Sequence, residues 1–187
     1  NTGDKVRSYH LLKHLARQHR VFLGTFIDDP DDEAYVATLR DLCADIHVVR
    51  LDPRLAKIRS LSGLLSGEAL TLNFYRSSTL RYWVNETCRR QRIDATVVFS
   101  SAMAQYVEDL PRMPTIIDFV DVDSAKWTQY APRHRWPLSW LYCREGRLLL
   151  DYERRMAARA SRSFFATDNE VALFAEKAPE CRVRLEA

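Results

Sequence analysis

Short apolar runs alternate with amphipathic stripes along most of this chain, and that alternation limits the folds open to it. The apolar runs have the length of buried strands and lie at 21–27, 46–51, 95–101, 115–117 and 163–167. The stripes have helical spacing and lie at 5–18, 35–43, 80–88, 141–160 and 171–177. Strands separated by helices imply parallel pairing through crossover connections. We therefore expect an α/β protein built on a doubly wound, Rossmann-like parallel sheet.

The length and the opening residues define the expected domain organisation. A chain of 187 residues can bury the core of one domain, and we predict a single Rossmann-like domain over 1–187. A doubly wound domain opens with a strand, whereas this sequence opens with Asn1-Thr2-Gly3-Asp4, which is turn chemistry with Asp4 as an N-cap. We therefore expect that a first strand precedes Asn1 in the natural protein.

Composition and cysteine spacing argue against several classes of protein. Hydrophobic residues make up 47% of the chain and charged residues 28%, as in ordinary globular proteins. The net charge of +3 is too small to argue for a nucleic-acid partner. The four cysteines form no C-x-x-C pair, so we expect reduced thiols and a cytoplasmic location.

An acidic segment follows the strand that begins at Thr115. It contains, in order, Asp118, Asp121, Asp123 and Ser124, the last of which starts a predicted helix. The preceding strand ends in a similar way, with Ser100 and Ser101. Open α/β sheets bind ligands beyond the carboxyl ends of their strands, so we expect chemistry there. The alternative is that Asp121 or Asp123 caps the helix, a contact worth about 1 kcal/mol.

The first helix offers a second candidate site. Gly3 would let the backbone approach a ligand closely, and a helix N-terminus presents free N–H groups. Lys5 and Arg7 add cationic donors, so a diphosphate or an acidic acceptor could be held there. The alternative is a plain turn with solvated cations.

Several common catalytic signatures are missing from the sequence. It contains neither a phosphate-binding glycine-rich loop of standard spacing nor a G-x-S-x-G nucleophile motif. His10 and His14 have the spacing of a two-histidine metal face, but no third ligand accompanies them. We therefore predict no metal site.

Two segments combine basic residues with apolar ones. The segment from Arg54 to Leu65 has the pattern of a basic amphipathic helix, and the segment from Arg133 to Tyr142 interleaves cations with aromatic rings. Both patterns are typical of peripheral membrane contacts. The alternatives are an ordinary helix covering the sheet and a packed loop.

Three stretches resemble one family of enzymes. They are Gly3-Asp4-Lys5-Val6-Arg7-Ser8-Tyr9, then Ile117-Asp118-Phe119-Val120-Asp121-Val122-Asp123-Ser124-Ala125-Lys126-Trp127, and finally Tyr152-Glu153 to Ala160 with Thr167-Asp168-Asn169-Glu170. Together they are similar to the family 4 glycosyltransferases of the two-Rossmann-domain (GT-B) type. The nearest resemblance is to the sugar transferases of bacterial exopolysaccharide clusters associated with the PEP-CTERM/exosortase system.

The resemblance implies that this chain is the N-terminal, acceptor-binding domain of a hexosyltransferase in exopolysaccharide biosynthesis. A C-terminal domain, absent here, would bind the nucleotide-sugar donor. That donor is a substrate, so no tightly bound cofactor is expected, and the isolated chain would be inactive. The acceptor would be a sugar or a lipid-linked glycan. From the cysteines and the two basic segments, not from the resemblance, we expect a cytoplasmic location with peripheral contact on the inner face of the plasma membrane.

The resemblance also implies roles for particular residues. Many family members carry a His at the position of Val120. Here Asp121 or Asp123, our two catalytic candidates, would take over its role by holding the sugar or an acceptor hydroxyl. The substrate-binding candidates are Gly3, Asp4, Lys5, Arg7, Ser100, Ser101, Asp118 and Ser124. Glu145 and Glu153 bracket seven residues, the spacing of the family's Glu-x7-Glu signature. That signature belongs to the second domain and has a proline after its first Glu, so we treat the match as coincidental.

Two other classes stay open. Asp121-Val122-Asp123 could be the D-x-D metal motif of a glycosyltransferase with another fold. Strict dependence of activity on a divalent metal would favour this alternative. A non-catalytic doubly wound module could use the same acidic segment to bind Mg²⁺ or another ligand.

Overall fold

The computed structural model describes residues 2–111 and 113–187, without the side chains of Thr2 and Asp4. Its elements, in chain order, are α1 (Thr2–Ala16), β1 (Phe22–Ile27), a 3₁₀ turn (Pro30–Tyr35), α2 (Val36–Leu42), β2 (Asp45–Arg50), α3 (Pro53–Ser60), α4 (Gly63–Ser66), α5 (Leu70–Phe74), α6 (Ser78–Arg90), β3 (Thr96–Phe99), a 3₁₀ turn (Ser101–Tyr106), β4 (Thr115–Val120), α7 (Asp123–Tyr130), a 3₁₀ turn (Ala131–Arg133), α8 (Leu138–Arg159), β5 (Arg162–Phe165), α9 (Asp168–Lys177), a 3₁₀ turn (Pro179–Arg184) and β6 (Leu185–Glu186). Each pair of neighbouring strands in the described residues is parallel, which confirms the predicted α/β class. None of the helices described is long and apolar enough to cross a bilayer.

The chain forms two compact units. The first contains Asn1–Ala56 and Arg76–Arg92, and the second contains Lys57–Tyr75 and Ile93–Ala187. The boundary passes through α3, so its first residues belong to one unit and its last residues to the other.

The first unit holds a two-stranded sheet, in which β1 and β2 pair along their whole lengths. Helix α6 packs on this sheet at Gly24, where an added Cβ would lie 2.7 Å from Leu80 Cδ1 and 3.2 Å from the Trp83 ring. The Trp83 indole also donates a hydrogen bond to Asp45 at 3.1 Å. The missing side chain of Gly24 therefore allows the close approach of helix and strand.

The second unit holds a four-stranded sheet in the order β3-β4-β5-β6. Its core is aromatic: the Phe165 ring lies 5.3 Å from Phe119 and 5.1 Å from Phe174, measured between centroids. These three side chains are at most 1% exposed. Such rings contribute large apolar areas to a core, so they fix β4, β5 and α9 against one another.

Helices α7 and α8 also pack closely in the second unit. A Cβ added to Gly146 of α8 would lie 2.5 Å from Thr128 Oγ1 and 3.0 Å from the carbonyl oxygen of Ser124, both on α7. Only glycine fits that contact without movement of the α7 backbone. This packing positions the start of α7 at the carboxyl end of β4.

The predicted strands are confirmed within a few residues, but several neighbouring elements differ. The strand predicted over 95–101 stops at Phe99, and a 3₁₀ turn over Ser101–Tyr106 follows it. The basic helix predicted from Arg54 to Leu65 is divided into α3 and α4. Near the end of the described chain, Pro179–Arg184 is a 3₁₀ turn and Leu185–Glu186 pairs with β5. Short elements are set by contacts rather than by local pattern, which explains these differences.

The predicted opening turn is wrong. Thr2–Ala16 is helical, so Gly3 and Asp4 lie in the first turn of α1 and Asp4 is not its N-cap. Residues that favour turns are tolerated at this position because the first N–H groups of a helix have no intrahelical partner to lose.

The prediction of one sheet containing all the strands is also not met. The described strands form two hydrogen-bonded sheets, β1-β2 and β3-β4-β5-β6. Apolar periodicity identifies strands, but it carries no information about which strand edges meet.

Candidate active site

Strand β4 ends in an irregular turn. Its register with β5 shifts between Asp118 and Val120, which marks a bulge. Val120 has φ 68°, and the Asp121 N–H donates to the Phe119 carbonyl at 2.8 Å, so a γ-turn is centred on Val120. The Asp118 carboxylate accepts a hydrogen bond from the Val120 N–H at 3.0 Å. A β-branched residue at positive φ is strained, and such strain is concentrated at functional sites.

Asp121, Asp123 and Lys126 form a charged cluster directly after this turn. Lys126 Nζ lies 2.6 Å from Asp121 Oδ2 and 3.2 Å from Asp123 Oδ1. The aspartate side chains are 31% and 28% exposed, so a ligand can reach them. Burial acts to lower the pKa of Lys126, but the hydrogen bonds and charges of the two aspartates outweigh it and raise that pKa. The ammonium group therefore stays charged between two carboxylates.

Ser100 and Ser101 connect the end of β3 to the same cluster. Ser100 has φ 77°, and its N–H donates to the Asp118 carbonyl at 2.8 Å. Ser101 is fully buried, and its hydroxyl donates to Asp123 Oδ2 at 3.0 Å. The structure thus brings together the candidates that the sequence predicts at the ends of these two strands.

The start of α7 is not capped by either aspartate, so that alternative is wrong. Its N-cap is Val122, which makes no side-chain cap hydrogen bond. Glu170 of α9 accepts from the Val122 N–H at 2.7 Å, and Glu153 of α8 accepts from the Ser124 N–H at 3.3 Å. Carboxyl groups from other helices satisfy these donors, so the two aspartates face Lys126 and Ser101 instead.

Glu153 is a fully buried carboxyl group beside Ser124. Its Oε2 lies 2.5 Å from Ser124 Oγ. Burial raises the pKa of Glu153 to about 8, against the opposing effect of the Ser124 hydrogen bonds. The Ser124 hydroxyl donates to Oε2, and at neutral pH the Glu153 carboxyl group is mostly protonated. Ser124, a predicted binding residue, is itself 2% exposed and serves the contact between α7 and α8.

Glu145 has a similar structural role at another helix. It is 1% exposed, and its Oε2 accepts from the Leu70 N–H at 2.7 Å. Its Oε1 accepts from the Thr71 N–H at 2.8 Å and from the Thr71 hydroxyl at 2.7 Å. A carboxylate at the start of α5 satisfies donors that the helix leaves open. Glu145 and Glu153, which bracket seven residues, therefore each bond to a helix start within the protein.

The remaining predicted binding residues lie on α1 in the first unit. Gly3 is in the first helical turn, and the side chain of Asp4 lies outside the described residues. Lys5 is paired with Asp32 at 2.6 Å, and that hydrogen bond raises the pKa of Lys5. Arg7 is half-buried. An exposed ion pair such as Lys5–Asp32 is weak, so an anionic ligand could compete for the lysine.

Lys126 and Glu170 are the residues of this site that sequence reasoning missed. Lys126 follows Asp123 by three positions, a helical spacing that could have placed the two on one face. Glu170 has the position of a capping-box residue after Thr167, and its N–H does donate to the Thr167 hydroxyl at 3.2 Å. Its carboxylate, however, reaches Val122, a contact between distant residues that no local pattern predicts.

The cluster has the chemistry to hold hydroxyl groups. Ionised carboxylates accept hydrogen bonds from hydroxyls, and an ammonium group donates to them. Among the described residues, no group of three or more His, Cys, Asp or Glu side chains is arranged to hold a metal ion. In the D-x-D pair, Lys126 occupies the position between the carboxylates.

No protein-family model matches the chain, and no curated protein matches it.

Proposed function

We propose that this chain is the acceptor-binding part of a glycosyltransferase that transfers a sugar from a nucleotide-sugar to a glycan or lipid-linked acceptor. The observation that carries the proposal is the cluster of Asp121, Asp123 and Lys126 behind the strained turn at Val120. It lies at the carboxyl end of a parallel strand, where open α/β sheets bind ligands. The same residues belong to the most distinctive stretch of resemblance to family 4 glycosyltransferases.

In this proposal the aspartates hold and orient the acceptor. Asp121 accepts a hydrogen bond from an acceptor hydroxyl, and Asp123, held by Ser101 and Lys126, accepts from a neighbouring one. Sugar transfer requires the attacking hydroxyl to be aligned with the anomeric carbon, and fixed acceptors provide that alignment. The Lys126 ammonium favours the ionised, accepting form of both carboxylates.

The proposal extends to the rest of the protein. A C-terminal domain would bind the nucleotide-sugar, so the cleft would need both parts. We place the enzyme in the cytoplasm, in exopolysaccharide biosynthesis, with the nucleotide-sugar as a substrate rather than a resident cofactor.

The test is sugar transfer by the natural protein with the segments that flank this chain. Purified protein is incubated with radiolabelled UDP-glucose, UDP-galactose or GDP-mannose and a membrane-lipid extract of the source organism. We expect a labelled product that depends on the protein and that still forms in EDTA. Absence of product from folded protein with every donor would contradict the proposal, and strict dependence on a divalent metal would favour the D-x-D alternative.

A further inference from the structure

We propose that the second unit docks on anionic membranes through one apolar and cationic surface, here called the basic-aromatic face. This face comprises residues 57–65, at the end of α3 and in α4, and residues 133–147, around the start of α8. Arg54 and Leu55, which begin the first basic segment of the sequence, belong to the other unit and are not part of it. The inference concerns a different surface from the acidic cluster and does not depend on sugar transfer.

Arg144 connects the two segments of this face. Its guanidinium group donates to the Gly63 carbonyl at 2.7 Å and to the Glu68 carbonyl at 3.2 Å. The neighbouring Glu145 binds the start of α5, immediately after that loop. The first half of α8 therefore contacts the α4–α5 region directly within the second unit.

Large apolar side chains are exposed on both sides of that junction. Leu65 is 94% exposed and Ile58 69% on one side, and Trp136 is 80% and Trp140 55% on the other. Exposed apolar residues that are grouped in this way mark an interaction surface. Tryptophan in particular favours the boundary between lipid headgroups and acyl chains, because its ring is amphipathic.

The charges of the face favour a lipid surface over a protein partner of mixed charge. Its cations are Lys57, Arg59, Arg133, Arg135, Arg144 and Arg147. The carboxylate within the two segments is Glu145, which is 1% exposed and turned inward to α5. Arg59 and Arg144 donate to carbonyl oxygens, which leave their positive charge in place. Glu68 lies between the two segments, is half-buried, and accepts hydrogen bonds from Ser66 and Asn73 through its carboxylate. The six cations of the face complement anionic headgroups.

A small pocket in the same face has two arginines in its lining. It has a volume of about 230 Å³ and is lined by Trp140, Cys143, Arg144 and Arg147. The two arginines and Trp140 lie on one side of α8, because they are separated by three and four positions. Guanidinium groups bind phosphate oxygens through paired hydrogen bonds, and the indole would lie at headgroup depth.

Vesicle flotation of the 187-residue chain tests the proposal. The probes are vesicles of phosphatidylcholine alone and of phosphatidylcholine with phosphatidylglycerol at a ratio of about 7:3. We expect binding to the anionic vesicles that decreases with salt, and little binding to the neutral ones. In R133Q/R135Q/R147Q the partition coefficient should fall roughly fivefold per cation, or about a hundredfold in total. In W136A/W140A it should fall at least roughly tenfold.

The matched control is R182Q/V183A, which removes an exposed cation and an exposed apolar residue elsewhere in the second unit. It should bind like the parent, and circular dichroism should show all variants folded. Equal binding to neutral vesicles, or unchanged binding by both face variants, would overturn the proposal. The proposal would also be overturned if the folded parent chain bound no vesicles. In that case, a dimer that sedimentation detects and that W136A/W140A disrupts would show that the face binds a second copy of the chain instead.

Discussion

At the scale of single residues, the second unit keeps carboxyl groups in two different states. Asp121 and Asp123 are partly exposed and face an ammonium group, whereas Glu153 is fully buried against Ser124. Burial favours the neutral form of an acid and a neighbouring cation favours the charged form. The environment, rather than the residue type, therefore separates the accessible carboxylates from the structural one.

Glu153 should make the stability of the protein depend on pH. Its pKa of about 8 in the folded chain is above the ordinary value of 4.5, so the folded state binds this proton more tightly than the unfolded state. The stabilisation is fully present below about pH 4.5 and decreases as the pH rises toward 8. Glu153→Gln cannot ionise and keeps an acceptor and a donor for Ser124. We expect its stability to be within about 1 kcal/mol of the parent near pH 5 and to exceed the parent at pH 8, by at most about 5 kcal/mol.

Urea unfolding of both proteins between pH 5 and pH 8 checks this expectation. The difference between parent and variant isolates Glu153 from the other titrating groups. A constant difference across this range would contradict the assignment of a raised pKa to Glu153.

At the scale of elements, the contact between α7 and α8 depends on Gly146. Glycine inside a helix normally lowers stability relative to alanine by about 1 kcal/mol. Here an alanine Cβ would press on Thr128 Oγ1 and on the Ser124 carbonyl, which is backbone and cannot move alone. We therefore expect Gly146→Ala to destabilise the fold by about 1–3 kcal/mol, although alanine has the higher helix propensity. Chemical denaturation measures the change.

An exposed position on the same helix provides the control. Ala158→Gly tests helix propensity without a packing contact and should cost about 1 kcal/mol. If Gly146→Ala were more stable than the parent, the close approach of α7 and α8 would not be a constraint on the sequence.

Glu145 gives a second prediction at this scale. Glu145→Ala would leave the N–H groups of Leu70 and Thr71 without their acceptor inside the second unit. Each unsatisfied buried donor costs about 1–3 kcal/mol, so we expect a loss of at least about 2 kcal/mol. Amide exchange at Leu70 and Thr71 should also accelerate. Glu176→Ala, on the exposed side of α9, should change stability by less than about 0.5 kcal/mol.

The elements could be predicted from sequence to the extent that local pattern decides them. The strand beginning at Thr115 follows from an apolar run, and it is confirmed. The positive φ of Val120 could not be predicted, because a β-branched residue gives no local signal for it. The division into two sheets depends on which strand edges meet, and periodicity does not encode that.

At the scale of the whole molecule, the account assigns two surfaces of the second unit to different tasks. The acidic cluster at the carboxyl end of β4 would hold an acceptor hydroxyl, and the basic-aromatic face would hold a membrane. An enzyme with a lipid-linked acceptor would need both surfaces, because the acceptor's sugar must reach the acidic cluster while its lipid stays in the membrane. The two assignments have separate tests, since one is measured by sugar transfer and the other by vesicle binding.

The central claim is that Asp121 and Asp123 hold the acceptor. Its most direct test is kcat/KM for sugar transfer by the natural protein, compared among Asp121→Ala, Asp123→Ala, the double variant and Asp151→Ala. A hydrogen bond to a charged group contributes about 1.5–3 kcal/mol, so each single variant should lose about 10- to 150-fold. Asp151, exposed on α8, should be replaceable within about twofold. Full activity in the folded double variant would contradict the claim.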